Sequence, residues 1–420
     1  MFTSKLARQS SLLVRSYATA AGKQQFKLST ESIADRLKNV SEKYPYYDAL
    51  LFPNESNSLK FNFQEMWGSV SGLASGFVES NLKSQEAVLT NAPQSSEHII
   101  TQMAASTAGL TFVPVAPSST LPQIGEVLAT SSTKAFVLAN QKSREIVDEA
   151  IEYFPTLDSM GHDEYFKDNR YPSLRYIIST GNAQEPGIDL YKEFVLQVNL
   201  LNKTKTSANQ ISTLLPSTDG KLIGYTHGSL LNTGDSLVQL LGLKRHERVS
   251  FAVPFHSGSS YAFYLGCLSN ASTVIVPAHI FSVETTLNTI TQNKSTVLFV
   301  TGEQLDAILN FDKLSKFNTT TLKTVVVAGS NVSAATLKSV QDKLKVNNVF
   351  GVELVENTPG QLAGVVFNQS GAGQLLPGVE SKVDNGVLFT KGYHVNSNTK
   401  EWLNTGIKAK INQDGTVSRN

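Results

Sequence analysis

The chain has 420 residues, 40% of them hydrophobic and 17% charged, with a formal net charge of +1. That composition suits a globular protein with a substantial core, and no run reaches the roughly 18–20 continuous apolar residues of a spanning helix. The charge is uneven: Lys5, Arg8, Arg15, Lys23 and Lys27 all precede the first acid, Glu31, so the rest of the chain is acidic on balance, which argues against nucleic acid as a partner.

In chain order, residues 1–22 combine Arg, Lys, Ser, Leu and Ala with no acid. Wound as a helix, they set Lys5, Arg8 and Arg15 among Phe2, Leu6, Leu12, Leu13 and Val14, the composition of a mitochondrial transit peptide. Arg15-Ser16-Tyr17 before Ala18 is similar to a matrix-protease cleavage site. A disordered basic tail on a cytosolic protein is the alternative. Ile33, Leu37 and Val40 predict a helix over 32–44, started by Ser29 or Thr30 with Glu31. Met66, Val70, Leu73 and Phe77 predict a second over 63–82. Short apolar runs at 87–90, 111–115, 135–138 and 176–179 read as strands, with helices at 99–108 and 124–131 between them.

The second half repeats the alternation, with strands at 249–254, 272–276, 297–300 and 324–327 and helices at 257–268, 302–309 and 334–344. Alternation at this spacing predicts parallel sheets covered by helices. Beyond Gly371, short glycine-punctuated strands at 379–383 and 386–390 predict a smaller β-rich unit. Residues 140–173 and 202–220 read as loops. The expected organisation is a leader over 1–22, a first αβα subdomain over 30–205, a second over 206–370 and a β-rich subdomain over 371–420. The single cysteine, Cys267, excludes an intrachain disulfide and lies in an apolar segment, where an inert buried thiol is expected.

Several landmarks follow one another in a telling order. They are AASTAGLTFVPVAPS (104–118), Lys221-Leu-Ile-Gly-Tyr-Thr226-His227, Pro254-Phe255-His256-Ser-Gly258, Val326-Val-Ala-Gly329-Ser330-Asn331, Val349-Phe350-Gly351, Leu376-Pro377-Gly378 and Trp402-Leu403-Asn404-Thr405-Gly406. Over about residues 30–416 the chain resembles the adenylate-forming superfamily of acyl-CoA synthetases, luciferases and nonribosomal-peptide adenylation domains. The resemblance implies the two αβα subdomains and β-rich unit of that superfamily's N-terminal region.

It also implies ATP-dependent activation of a carboxylate, whose dense negative charge needs backbone donors, cations and Mg²⁺. The residues depart from that pattern. Leu215 and Thr218 stand where the phosphate loop has glycines, and Asp219 adds a negative charge; Ser217, Thr218 and Lys221 remain as donors. Leu354 stands at the metal-binding Glu, unless a one-residue shift lets Glu353 or Glu356 serve, and Ile407 replaces the ribose-binding Asp. The sequence ends at Asn420, before the small C-terminal domain and its catalytic Lys.

A vestigial nucleotide or acyl pocket is therefore expected around Ser217, Thr218, Lys221, Thr226, His256 and Gly329, with no catalytic residue and no metal site. His256 lines an acyl pocket or is a structural histidine at a strand end. Lys221 binds an anion or is a relic in a solvated loop. Thr226 and His227 at a helix start are explained by capping and packing. His98 and His162 have no ligand-spaced partners, and no G-x-S-x-G elbow occurs.

Three readings follow. The first is a catalytically impaired accessory or scaffold subunit of a mitochondrial assembly, such as an inner-membrane respiratory complex. It would sit in the matrix, peripheral to the inner membrane, with protein subunits as partners and no required cofactor. The second is an ATP-dependent acid–thiol ligase. The third is a sensor that binds ATP, AMP or acyl-CoA without turnover.

Overall fold

The structure, a computed structural model, describes residues 20–21, 26–55, 58–140, 145–161, 164–217, 220–329, 333–356, 358, 360–397, 399 and 401–420. It is α/β, built on two sheets. In the smaller one, strands run in the order Ile211–Pro216, Thr111–Pro114, Ala87–Thr90, Thr133–Leu138, Tyr176–Ser179, Asp189–Leu190, all parallel, with Leu222–Thr226 antiparallel at the first edge. The larger sheet has a parallel centre: Asp48–Phe52, Thr273–Ile275, Arg248–Phe251, Val297–Thr301, Thr324–Gly329 and Asn348–Leu354. From Leu362–Asn368 onward it continues antiparallel through the β-rich C-terminal part.

Sheet membership crosses the boundary expected at 205/206. The smaller sheet runs on to Thr226, whereas Asp48–Phe52 and Leu59–Asn62 join the larger one. Of the leader, residues 1–19 and 22 lie outside the described residues, and Ala20–Ala21 pairs with Glu380–Ser381. The loop expected over 140–173 contains the helix Glu145–Tyr153, which buries Val147 and Ala150 one turn apart. The loop expected over 202–220 contains the strand Ile211–Pro216. Its inward positions include Ser212 and Thr213, and polar side chains at buried positions hide the apolar alternation. No helix among the described residues is long and apolar enough to cross a membrane.

The first helix, Ile33–Lys43, starts on Ser32 rather than Ser29 or Thr30. Ser32 and Asp35 form a reciprocal capping box. This helix is fastened to the helix His227–Leu240 by polar contacts: Arg36 to Asp235 at 2.8 Å, Ser29 N–H to Asn232 Oδ1 at 2.7 Å, and Ile33 N–H to His227 Nδ1 at 3.2 Å.

The tightest packing in this region joins His227–Leu240 to Gly258–Ser269. A β-carbon on Gly234 would lie 2.2 Å from the Ala262 carbonyl oxygen, and one on Gly266 would lie 2.4 Å from that of Gly234. The helices therefore touch backbone to backbone, and neither position has room for a side chain. Gly266→Ala is expected to destabilise the fold by about 1–3 kcal/mol through overpacking, read as a lower urea midpoint with unchanged m-value; an unchanged midpoint would refute this close approach.

Candidate functional site

The phosphate-loop segment is a closed hairpin. Pro216 pairs with Leu222, Leu215 with Ile223 and Leu214 with Gly224. Leu215 is buried in the core, which anchors this arm as a strand. At the turn, Ser217 donates both its N–H (2.8 Å) and its hydroxyl (2.9 Å) to the Lys221 carbonyl, and Gly220 N–H donates to Ser217 O. Gly220 has φ +77°, a conformation that glycine takes without strain. Ser217, one of the donors expected to face phosphate, thus points into the turn. Lys221 is exposed at the turn's end, while Thr218 and Asp219 lie outside the described residues.

Thr226 leaves the hairpin and caps the helix His227–Leu240, its hydroxyl oxygen accepting from Ser229 N–H at 3.0 Å. His227 is buried, and its Nδ1 accepts from Ile33 N–H, so Nε2 carries the proton when the ring is neutral. Burial holds its pKa down at about 4.

A second wall is formed by Pro254-Phe255-His256-Ser257 and the start of Gly258–Ser269. A β-carbon on Gly258 would meet the Tyr225 ring at 2.9 Å, so glycine here lets the hairpin and helix close on each other. Gly360, at φ +62°, lies against the same turn; its β-carbon would sit 2.3 Å from Gly258 N. His256 is half-buried and its pKa is lowered by desolvation. Behind it lie packed aromatic side chains. Phe255 packs on His98 and Phe251, and Phe251 packs on Phe299 with centroids 5.0 Å apart. His98 bonds Ala92 O (2.8 Å) and Tyr261 OH (2.9 Å), and burial holds its pKa down at about 4. Cys267 is fully buried and its thiol pKa is pushed up by desolvation, as expected for an inert side chain.

A cavity of about 770 Å³ opens at the C-terminal ends of Val297–Thr301, Thr324–Gly329 and Asn348–Leu354. This is the usual ligand position in an open α/β sheet. Gly329 and Leu354 line it, together with Glu303, Asp306 and Glu356, and no lysine, arginine or histidine is among its described lining residues. Ser217, Lys221, Thr226 and His256 are not among them either, so of the expected pocket residues Gly329 alone is placed on this cavity by the described lining. A neighbouring 200 Å³ cavity shares Leu354 and Glu356 and adds Glu353, Thr405 and Ile407.

Side chains alternate along Asn348–Leu354, so Glu353 points away from Leu354. It is buried and ion-paired with Arg419, whose guanidinium lies 4.6 Å over the Phe367 ring. Gly329 pairs with Glu353 in parallel register on one side of the strand, and on the other the register shifts between Val352 and Leu354. Sequence reasoning missed Arg419, whose signal lay only in an isolated cation at an inward position of the last strand. Among the described residues no group of three or more His, Cys, Asp or Glu is placed to hold a metal. The cavity is lined by carboxylates with no cation among its described lining, and the hydroxyl and N–H of Ser217 are bonded to the backbone of their own turn.

Two αβα layers, a hairpin at the edge of one sheet and a cavity at the strand ends of the other define the N-terminal region of an adenylate-forming protein. The chain matches the family described as AMP-binding enzyme over residues 37–388 and belongs to it. It is 23% identical over 438 residues to the putative acyl-CoA synthetase YngI of Bacillus subtilis (strain 168), covering 91% of this chain and 77% of that one. It is 24% identical over 437 residues to the medium-chain acyl-CoA ligase ACSF2, mitochondrial, of Homo sapiens, covering 92% and 70%. In fold it is similar to the N-terminal domain of FACL13 from Mycobacterium tuberculosis (TM-score 0.76, 13% identity, 93% of this chain and 100% of that one). The luciferase-like enzyme of the nonluminescent Zophobas morio mealworm is similar too (TM-score 0.76, 15% identity, 96% and 98%). The chain is an acyl-CoA-synthetase-like adenylate-forming protein.

Two expectations follow from the buried charges. Arg419→Met strands the Glu353 carboxylate and should cost about 3–5 kcal/mol, whereas Glu353→Leu/Arg419→Met should recover most of it; urea melts of the three proteins decide. His98 and His227 have folded pKa values depressed from 6.5 to about 4, so unfolding takes up protons between those values. Their contribution to stability is full above pH 6.5 and falls as pH drops towards 4, by roughly 3 kcal/mol each at the acid end. Glu55, raised to about 7 by desolvation and by Glu97, acts in the opposite sense, its contribution fading as pH rises through 7. Melting temperature against pH should therefore flatten on the acid side in His98→Gln/His227→Gln and steepen in Glu55→Gln.

Proposed function

We propose that this protein has kept the adenylate-forming scaffold without the adenylation chemistry and serves as an accessory or scaffold subunit of a mitochondrial assembly, on the matrix side of the inner membrane. The carrying observation is the cavity at Gly329, lined by Glu303, Asp306 and Glu356 with Leu354 at the metal position and no cationic residue among its described lining. A triphosphate entering it would meet like charge at short range, where an unscreened pair at 4 Å is worth several kcal/mol at an effective dielectric of about 20. Ile407 in the adjoining cavity supports the same reading, because an aliphatic side chain cannot accept the ribose hydroxyls. No cofactor is required, and any ATP, AMP or acyl-CoA binding is vestigial. The mitochondrial assignment is supported by the acid-free, Arg- and Ser-containing composition of residues 1–22 and by the mitochondrial ligase relatives.

Those same relatives favour a second reading, an ATP-dependent acid–thiol ligase. Melting of the purified protein separates the two. Under the scaffold reading about 1 mM ATP with Mg²⁺ leaves the melting temperature unchanged, since a ligand bound at concentrations far above its Kd would stabilise by about 2.7 kcal/mol or more. A clear ATP-dependent rise, with acyl-adenylate formed, would reject the scaffold reading; a rise with acyl-CoA or AMP alone and no turnover would make the protein a sensor. Native-gel migration from gently solubilised mitochondria tests the assembly role directly. Co-migration with a large complex is expected, and migration as a free monomer would overturn it.

A further inference from the structure

Away from the cavity, two turns meet and form an aromatic, cationic tip. The first follows the helix Ile33–Lys43 and carries Lys43, Tyr44, Tyr46 and Tyr47; the second precedes the strand Arg248–Phe251 and carries Lys244, Arg245 and His246. Tyr47 stacks on His246, with centroids 4.3 Å apart and planes 15° from parallel, and Tyr44 packs edge-on to both. Lys43 Nζ lies 5.5 Å from the Tyr44 ring centroid. Tyr46 is 82% exposed and Tyr47 51%, in a protein that buries most of its large side chains.

We propose that this tip is a docking surface for an anionic lipid bilayer. Three features select that partner. Tyrosine, with an apolar ring and a polar hydroxyl, is the side chain that settles at headgroup depth, and two such rings stand out from adjacent positions. Lys43, Lys244 and Arg245 are all exposed around them, and of the nearby acids Asp48 pairs with Lys60 at 2.7 Å and Arg248 at 3.1 Å and Glu42 lies 3.9 Å from Lys38, so that Glu247, which is half-buried, is outnumbered by the three cations. A local excess of cations on a chain that is otherwise acidic matches the negative potential of an anionic leaflet. Finally, the two exposed rings sit on a turn, where they can enter a headgroup layer without a matching partner surface. His246 holds φ +63°, a conformation uncommon for residues with a side chain, and its ring serves as the platform for Tyr47.

This inference names the lipid-facing side of the peripheral location proposed above, and rests on the tip alone, so vesicle binding and nucleotide binding succeed or fail separately. The test is co-sedimentation of the full chain carrying Lys5→Gln, Arg8→Gln and Arg15→Gln, so that the basic N-terminal segment does not supply the binding. Two vesicle types are used, phosphatidylcholine alone and phosphatidylcholine with about one-third phosphatidylglycerol. Binding to the anionic vesicles is expected, reduced about tenfold or more by Tyr46→Ser/Tyr47→Ser, by Lys244→Glu/Arg245→Glu and by about 0.5 M salt. Lys408→Glu, on an exposed position of the β-rich part, serves as the control and should leave it unchanged; unaltered melting temperatures show that the variants are folded. Equal binding by the tip variants, or none to anionic vesicles, overturns the proposal. Absence of vesicle binding together with loss of co-migration in the same variants would assign the tip to a protein partner instead.

Discussion

Gly234 and Gly266 impose a constraint that reaches well beyond their own helices. Because the backbones of His227–Leu240 and Gly258–Ser269 are in contact, the two helix starts are held close in space. One start is capped by Thr226 at the end of the hairpin; the other follows His256 at the end of the central strand segment. Tyr225 then lies against Gly258, and Gly360 closes on the same turn, so the two sheets and the segment leading to the β-rich part converge there. The hairpin end at Thr226 and the turn at His256 are positioned through this contact, and the first helix is fixed to its outer side by Arg36 and Asn232.

Much of this arrangement was legible in the residues. The periodicities at Ile33, Leu37 and Val40 and at Met66, Val70, Leu73 and Phe77 gave the helices that the structure contains, and the parallel alternation gave the fold class. The failures have specific physical causes. Ile211–Pro216 is a strand with buried hydroxyls, Ser212 reaching Ser106 at 2.8 Å, and such a pairing is invisible until both partners are placed. The start of the first helix is not fixed by residue type, because Ser29, Thr30 and Ser32 are all capping residues. Only the reciprocal bond with Asp35 distinguishes Ser32.

The candidate site was legible in its order along the chain and not in its geometry. Lys221, Thr226 and His256 sit at the expected places in sequence, yet the 770 Å³ cavity lies at the strand ends around Gly329, and its charge comes from Glu303, Asp306 and Glu356. Glu303 falls in the first turn of the helix after Val297–Thr301, where an acid favours the macrodipole and draws no notice in sequence, and Asp306 follows it one turn later on the same helix. Glu353 shows the limit from the other side. Its position beside Leu354 invited a role at the cavity, but the strand's two-residue period turns it to Arg419.

The residues that keep the family pattern and those that depart from it separate by physical role. Thr226 caps a helix, Gly258 makes room for Tyr225, Pro254 offers its carbonyl to Ser260 at 2.6 Å, and Gly378 and Gly406 hold φ of +77° and +73°. Each would be required by folding whether or not a ligand ever bound. Leu354 and Ile407 stand where the family pattern puts groups that serve a ligand alone, and there the side chains have become aliphatic, Ile407 packing into the core of the β-rich part. A sequence held only by the demands of its fold would diverge along this line, because replacing a capping or turn residue costs about 1 kcal/mol of a margin of some 5–15, whereas replacing an unused ligand contact costs nothing. Under the proposed scaffold reading, the order of landmarks and the aliphatic residues at ligand-facing positions are two consequences of one selection, for the scaffold and its surfaces.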